Sequence, residues 1–106
     1  MTHDGPQGST TAIDSTTHMA DNGVIHFGSP YLAKTLKEGN GECIFLNIHG
    51  HVHDGSSSDK LTADGSVRVL NPGSLKFGEF AELILVKDFA KDDKWRISQY
   101  IKHFLV

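Results

Sequence analysis

The stretch Ile44-Phe45-Leu46-Asn47-Ile48-His49-Gly50-His51-Val52-His53-Asp54-Gly55 limits the folds open to this chain more than any other. A short apolar run bounded by turn-forming residues has the pattern of a buried strand. Three histidines then follow at alternate positions. Side chains alternate along a strand, so an extended backbone past Ile48 points His49, His51 and His53 to one side. A turn at Gly50 instead lets His51 and His53 converge and leaves His49 outside. Either way, at least two imidazoles gather at the carboxyl end of a buried strand. Neutral imidazole is a good ligand for zinc, iron, nickel and copper, so a metal site at a strand end is the first expectation. The alternative is a solvent-facing polar edge. The apolar lead-in, the glycine and the third histidine weigh against it.

A chain of 106 residues suggests one domain or less, with a modest core. Hydrophobic residues make up 38% and charged residues 22%, outside the disordered range. The net charge of -3 argues against a nucleic-acid backbone or an anionic membrane as the main partner, since both favour a basic surface. The single cysteine, Cys43, cannot close an internal disulfide and reads as buried packing. No segment approaches the ~20 apolar residues of a spanning helix. The opening Met1-Thr2-His3-Asp4-Gly5-Pro6 is not a secretory signal, so a cytoplasmic setting is the default.

Along the chain, residues 8–22 are polar and read as a loop with at most a helical turn near Ala12-Ile13-Asp14. Val24 to Phe27 is a short strand or a buried loop. Ser29-Pro30 supplies an N-cap and a first helical residue. Tyr31, Leu32, Thr35 and Leu36 then fall at helical spacing, and Gly39-Asn40-Gly41 ends the helix. Residues 54–65 read as a surface loop. Val67 to Leu70 is a strand stopped by Asn71-Pro72-Gly73-Ser74. Glu79 to Lys87 is apolar on both faces, the pattern of a central strand. Residues 94–104 alternate, with Trp95, Ile97 and Ile101 on one side and Gln99 as the misfit. The late strands have short connections, which favours antiparallel pairing. The expected class is α/β (α+β), dominated by sheet.

The candidate ligands are His3, in a loop whose backbone Gly5 and Pro6 constrain, and His51 and His53 after Gly50. Asp54 could orient an imidazole. The loop acids Asp4, Asp14, Asp21, Asp54 and Asp64 have no ligand-like setting, and His18, His26 and His103 read as structural. Histidines alone cannot hold two metals for hydrolysis, which calls for bridging carboxylates. Neither Asp-x-His nor Gly-Asp-x-x-Asp occurs. Ser74 lacks the flanks of a nucleophile elbow, and no phosphate loop is present.

Gly50-His51-Val52-His53 resembles the last metal-binding block of the calcineurin-like metallophosphoesterases. Thr2-His3-Asp4-Gly5-Pro6 resembles the block before it, and Val69-Leu70-Asn71-Pro72-Gly73-Ser74 the strand and turn after it. The three occur in the family's order. The resemblance implies that His3 and His51 ligate one metal and His53 another, with His49 matching no ligand position. It implies a β-sandwich flanked by helices and two divalent ions (Mn, Fe or Zn). The implied reaction is attack on a phosphoester substrate by metal-activated water. The family's early blocks, which supply the bridging aspartate and an asparagine ligand, are absent. Residues 1–106 therefore correspond to the C-terminal half of such a domain, expected to be inactive alone. No catalytic or further cofactor-binding residue is assigned. The expected associations are a missing N-terminal half or self-association through an open sheet edge. The alternative is a non-catalytic scaffold on the same fold. A metallo-β-lactamase block reverses the order of the aspartate and last histidine, and a cupin needs a glutamate soon after His-x-His; both fit less well.

Overall fold

The computed structural model describes residues 1–14, 25–39, 44–52, 57–87, 89–90 and 93–105. The fold is mixed α/β and sheet-dominated, with three small sheets. Thr10–Ala12 forms a 3-10 turn, not a turn centred on Ile13. Ile13–Asp14 (β1) then pairs antiparallel with Ile25–His26 (β2). Helix α1, Pro30–Glu38, starts as its sequence demands: the Ser29 hydroxyl accepts from the Leu32 amide at 3.1 Å, with Pro30 in the first turn. It buries Ala33 and Leu36. Tyr31 does not join that face and is 82% exposed. Asn40 and Gly41 lie outside the described residues, as does Cys43.

The central sheet has the order β3 (Leu46–Ile48), β5 (Arg68–Leu70), β4 (Ser58–Lys60). β3 and β5 run parallel, with Asn47 beside Val69, while β4 is antiparallel to β5. β4 occupies part of the stretch expected to be loop. Its Ser-Asp-Lys sequence has no apolar residue to announce a strand, and the ladder to β5 alone defines it. Val67, Val69 and Leu70 are fully buried and, with Val52, Ala12 and Leu36, form the apolar core.

Glu79–Lys87 (β6) and Trp95–Phe104 (β7) form a long antiparallel hairpin. β6 is not a central strand: among the described residues it pairs with β7 alone. Register shifts between Ile84 and Leu85, which pair with Gln99 and Ile97, so Ser98 is an extra residue. This bulge explains the Gln99 misfit. It puts Tyr100, not Ile101, on the face that carries Trp95 and Ile97. That face turns to the central sheet, where the Tyr100 hydroxyl donates to the Ser57 carbonyl at 3.2 Å. The other face leaves Phe80, Ile84 and Val86 exposed. No helix among the described residues is long and apolar enough to cross a membrane.

Core and hairpin residues should therefore respond differently to truncation. Leu70→Ala is expected to cost about 2–5 kcal/mol, and Ile84→Ala within about 0.5 kcal/mol, in denaturant unfolding. The turn before β5 carries a pH dependence. The Asp64 carboxylate accepts from the Ser66 amide at 3.0 Å and the Thr62 hydroxyl at 2.8 Å. These bonds, the Ser66 amide first, lower its pKa from 3.8 to about 2. Because the folded value is depressed, the stabilisation is present above pH 3.8 and is lost as pH falls towards 2. Asp64→Asn keeps an acceptor without the titrating charge. Acid titrations followed by circular dichroism should show a shallower transition for that variant.

Candidate metal centre

The site lies where the first residues of the chain meet the end of β3. Thr2 forms a parallel bridge with His49: the Thr2 amide donates to the Ile48 carbonyl at 3.0 Å, and the Gly50 amide to the His3 carbonyl at 3.1 Å. The Thr2 hydroxyl donates to the Asp4 carbonyl at 2.7 Å and accepts from the buried Asn47 amide group at 3.1 Å. On the far side of the loop, the Ser29 amide donates to the Gly5 carbonyl at 2.8 Å. The same residue thus caps α1 and holds the loop that carries His3 and Asp4.

The chain turns at Gly50 and does not stay extended. The Val52 amide donates back to the Gly50 carbonyl at 2.8 Å, closing a tight turn around His51, whose φ is +68°. This geometry parts the histidines. His49 points inward and is buried, whereas His51 is exposed beside His3. His3 Nε2 stands 3.0 Å from His51 Nδ1, with the ring centroids 4.8 Å apart and an interplanar angle of 62°. The Phe27 ring meets the His51 ring at 5.5 Å, edge to face. Ligand atoms of His3, Asp4 and His51 all lie within 4.8 Å of one another. His53 and Asp54 lie outside the described residues, as does His18.

The donor set suits a transition-metal ion. Two nitrogens at right angles on an ion, with bonds of about 2.1 Å, stand about 3.0 Å apart. The carboxylate adds an anionic oxygen, as in mixed nitrogen and oxygen sites for zinc, manganese or iron. Without an ion, the same separation is a hydrogen bond between one protonated and one unprotonated ring nitrogen. Asp4, which its sequence setting did not mark as a ligand, is the addition. The available signal was its place between His3 and the constrained Gly5-Pro6 pair.

His49 does different work. Its Nδ1 lies 2.8 Å from the Gly50 carbonyl oxygen, which can only accept, so Nδ1 carries the proton. Nε2 then accepts from the Thr11 hydroxyl at 2.7 Å. Burial pushes the His49 pKa below its ordinary 6.5, against the Gly50 hydrogen bond and the Asp4 charge, which raise it. His103 also has a structural setting, stacked on Phe80 at 4.8 Å with its Nε2 3.2 Å from a Glu82 carboxylate oxygen.

Comparison with protein-family models, curated proteins and solved structures finds no match for this chain.

The loop tolerates no side chain at Gly5. A Cβ there would lie 2.6 and 2.7 Å from Cε1 and Cδ2 of His49, closer than real Cβ contacts come. Gly5→Ala should displace the His49 ring and cost about 1–3 kcal/mol, the usual range for overpacking. Denaturant unfolding measures that cost, and the His49 ring resonances in NMR should shift with it.

Proposed function

We propose that this chain contributes metal ligands to a phosphoester-hydrolysing centre of the calcineurin-like kind. The observation that carries the reading is the 3.0 Å approach of His3 and His51 across 48 residues of sequence, as the resemblance of their two motifs requires. In the proposed site, His3 and His51 hold one ion, with Asp4 as a further ligand. His53 serves a second ion together with ligands from elsewhere. A bound divalent ion would lower the pKa of water and shield phosphate charge. The chain's own part is to fix two imidazoles at a strand end, through Thr2, Asn47 and the turn at Gly50, and to leave them open to solvent.

A scaffold without catalysis is the second reading. It is favoured by the uncovered hairpin face, where Ile84 is 46% and Val86 44% exposed.

Titration with Mn²⁺ or Zn²⁺ separates the two. The hydrolase reading expects one ion per chain at this cluster, with His3→Ala and His51→Ala each weakening it by about tenfold or more. It also expects inorganic phosphate to bind only the metal-loaded chain. With an aryl phosphate, turnover should stay well below about 1 s⁻¹, since one ion is not the two-metal clamp. Absence of metal binding in the unmodified chain would leave the scaffold reading in its place.

A further inference from the structure

The tight turn around His51 needs a restraint, because its backbone is strained. A non-glycine residue at φ +68° in such a turn is uncommon, and strain of this kind persists only where the surroundings over-determine it. Two side chains hold the turn, one at each end. At the near end, His49 Nδ1 donates to the Gly50 carbonyl at 2.8 Å, the same oxygen that accepts from the Val52 amide. At the far end, Asn71 Nδ2 donates to the Val52 carbonyl at 2.6 Å. His49 and Asn71 share an anchor. The Thr11 hydroxyl meets His49 Nε2 at 2.7 Å, and the Thr11 carbonyl accepts from Asn71 Nδ2 at 3.2 Å. Thr11 is itself fixed: its amide donates to Ser9 Oγ, which in turn donates to Asp59 on β4. Thr11, His49 and Asn71 are all buried, so the bonds from Thr11 to His49 and from Asn71 to Thr11 and Val52 are shielded from water, while the His49 bond to Gly50 is part-buried.

We infer that His49 is a positioning residue, not a ligand: by holding the Gly50 carbonyl it sets the direction in which His51 presents its ring to an ion. The inference rests on the metal-centre reading above and assigns its geometry to one named hydrogen bond. His49 is the restraint that bears on the turn directly from the residue before it. Its other nitrogen ties that restraint to the 3-10 turn, so at the near end of the turn one imidazole links the fold to the ligand.

Two substitutions separate the functions of the ring's nitrogens. His49→Asn places an amide N–H near the Nδ1 position and retains the donor to Gly50, while the contact with Thr11 is lost. His49→Gln reaches the Nε2 position and Thr11 but gives up the Gly50 donor. Both shrink the packing against Gly5, so both are expected to lose stability, measured separately by denaturant unfolding. Two readouts then decide. In the metal-free chain, amide exchange at Val52 and the His51 HN–Hα coupling report whether the turn persists. In the Co²⁺-loaded chain, affinity and the d–d absorption report how His51 meets the ion.

The inference expects H49N to keep Val52 protection and the wild-type cobalt spectrum. It expects H49Q to lose protection, alter the spectrum and bind Co²⁺ about 10- to 100-fold more weakly. It is overturned if H49Q matches wild type in the turn and in affinity. It is also overturned if the two variants weaken cobalt binding equally, in step with stability. A wild-type chain that binds no Co²⁺ yet shows the same contrast at Val52 would remove the metal reading and retain His49 as the clamp of the turn.

Discussion

The parallel pairing of Thr2 and His3 with the end of β3 is the constraint on which this site depends. Two backbone hydrogen bonds, Thr2 to Ile48 and Gly50 to His3, set the first residues alongside a strand buried in the central sheet. The bridge sets Thr2 beside His49 and so His3 beside Gly50, one residue short of His51, and the turn at Gly50 then brings the two imidazoles together at the strand end. A loop could carry a histidine to the same place, but with a spread of orientations. The ladder reduces that spread, and the Thr2 contacts with Asn47 and Asp4 reduce it further.

Beneath the exposed imidazoles the interior is polar. Ser9, Thr11, Asn47, His49 and Asn71 are all buried, and hydrogen bonds through Thr11 join Ser9, His49 and Asn71. Such groups raise the free energy of folding unless each finds partners, and their bonds here are directional. Asn71 is the clearest case: its amide nitrogen serves two carbonyls, and its oxygen takes the Gly73 amide at 3.1 Å. Apolar side chains of similar volume would fill the space but would not dictate one arrangement of the turn. The apolar core of Val67, Val69 and Leu70 supplies adhesion, and the polar layer above it supplies geometry.

Local patterns in the sequence were enough to find much of this architecture. The apolar run before the histidines, the Ser29-Pro30 helix start and the full extent of β6 follow from short-range patterns, and the structure has them where expected. The approach of His3 to His51 was expected as well, from the resemblance of their two motifs to metallophosphoesterase blocks and not from any local pattern. What escaped depends on distant partners. Ser58–Lys60 is a strand only because β5 lies beside it. Ile101 changes face because Ser98 bulges, and alternation cannot report an inserted residue in advance. The apolar character of β6 suggested cover on both sides, yet hydrophobicity records only what a surface favours, not whether a neighbour is there. Asp4 joins the imidazoles through a loop conformation set by Thr2, Asn47 and Ser29, three residues from three parts of the chain. His49, equal to His51 by alternation, was parted from it by the turn that the positive φ of His51 closes.

The span between His3 and His51 has a thermodynamic meaning of its own. An ion held by both residues would act as a reversible cross-link, closing a loop of 48 residues much as a disulfide does. Chain-entropy reasoning puts the cost of closing such a loop in the unfolded ensemble at about 4 kcal/mol, so the unfolded chain would hold the ion far more weakly than the native one. Because the unfolded chain does not bring the two rings together, occupancy would favour the native state by mass action. The melting temperature would then vary with free metal concentration, so that the cation content of the surroundings would help decide how much of this chain is folded.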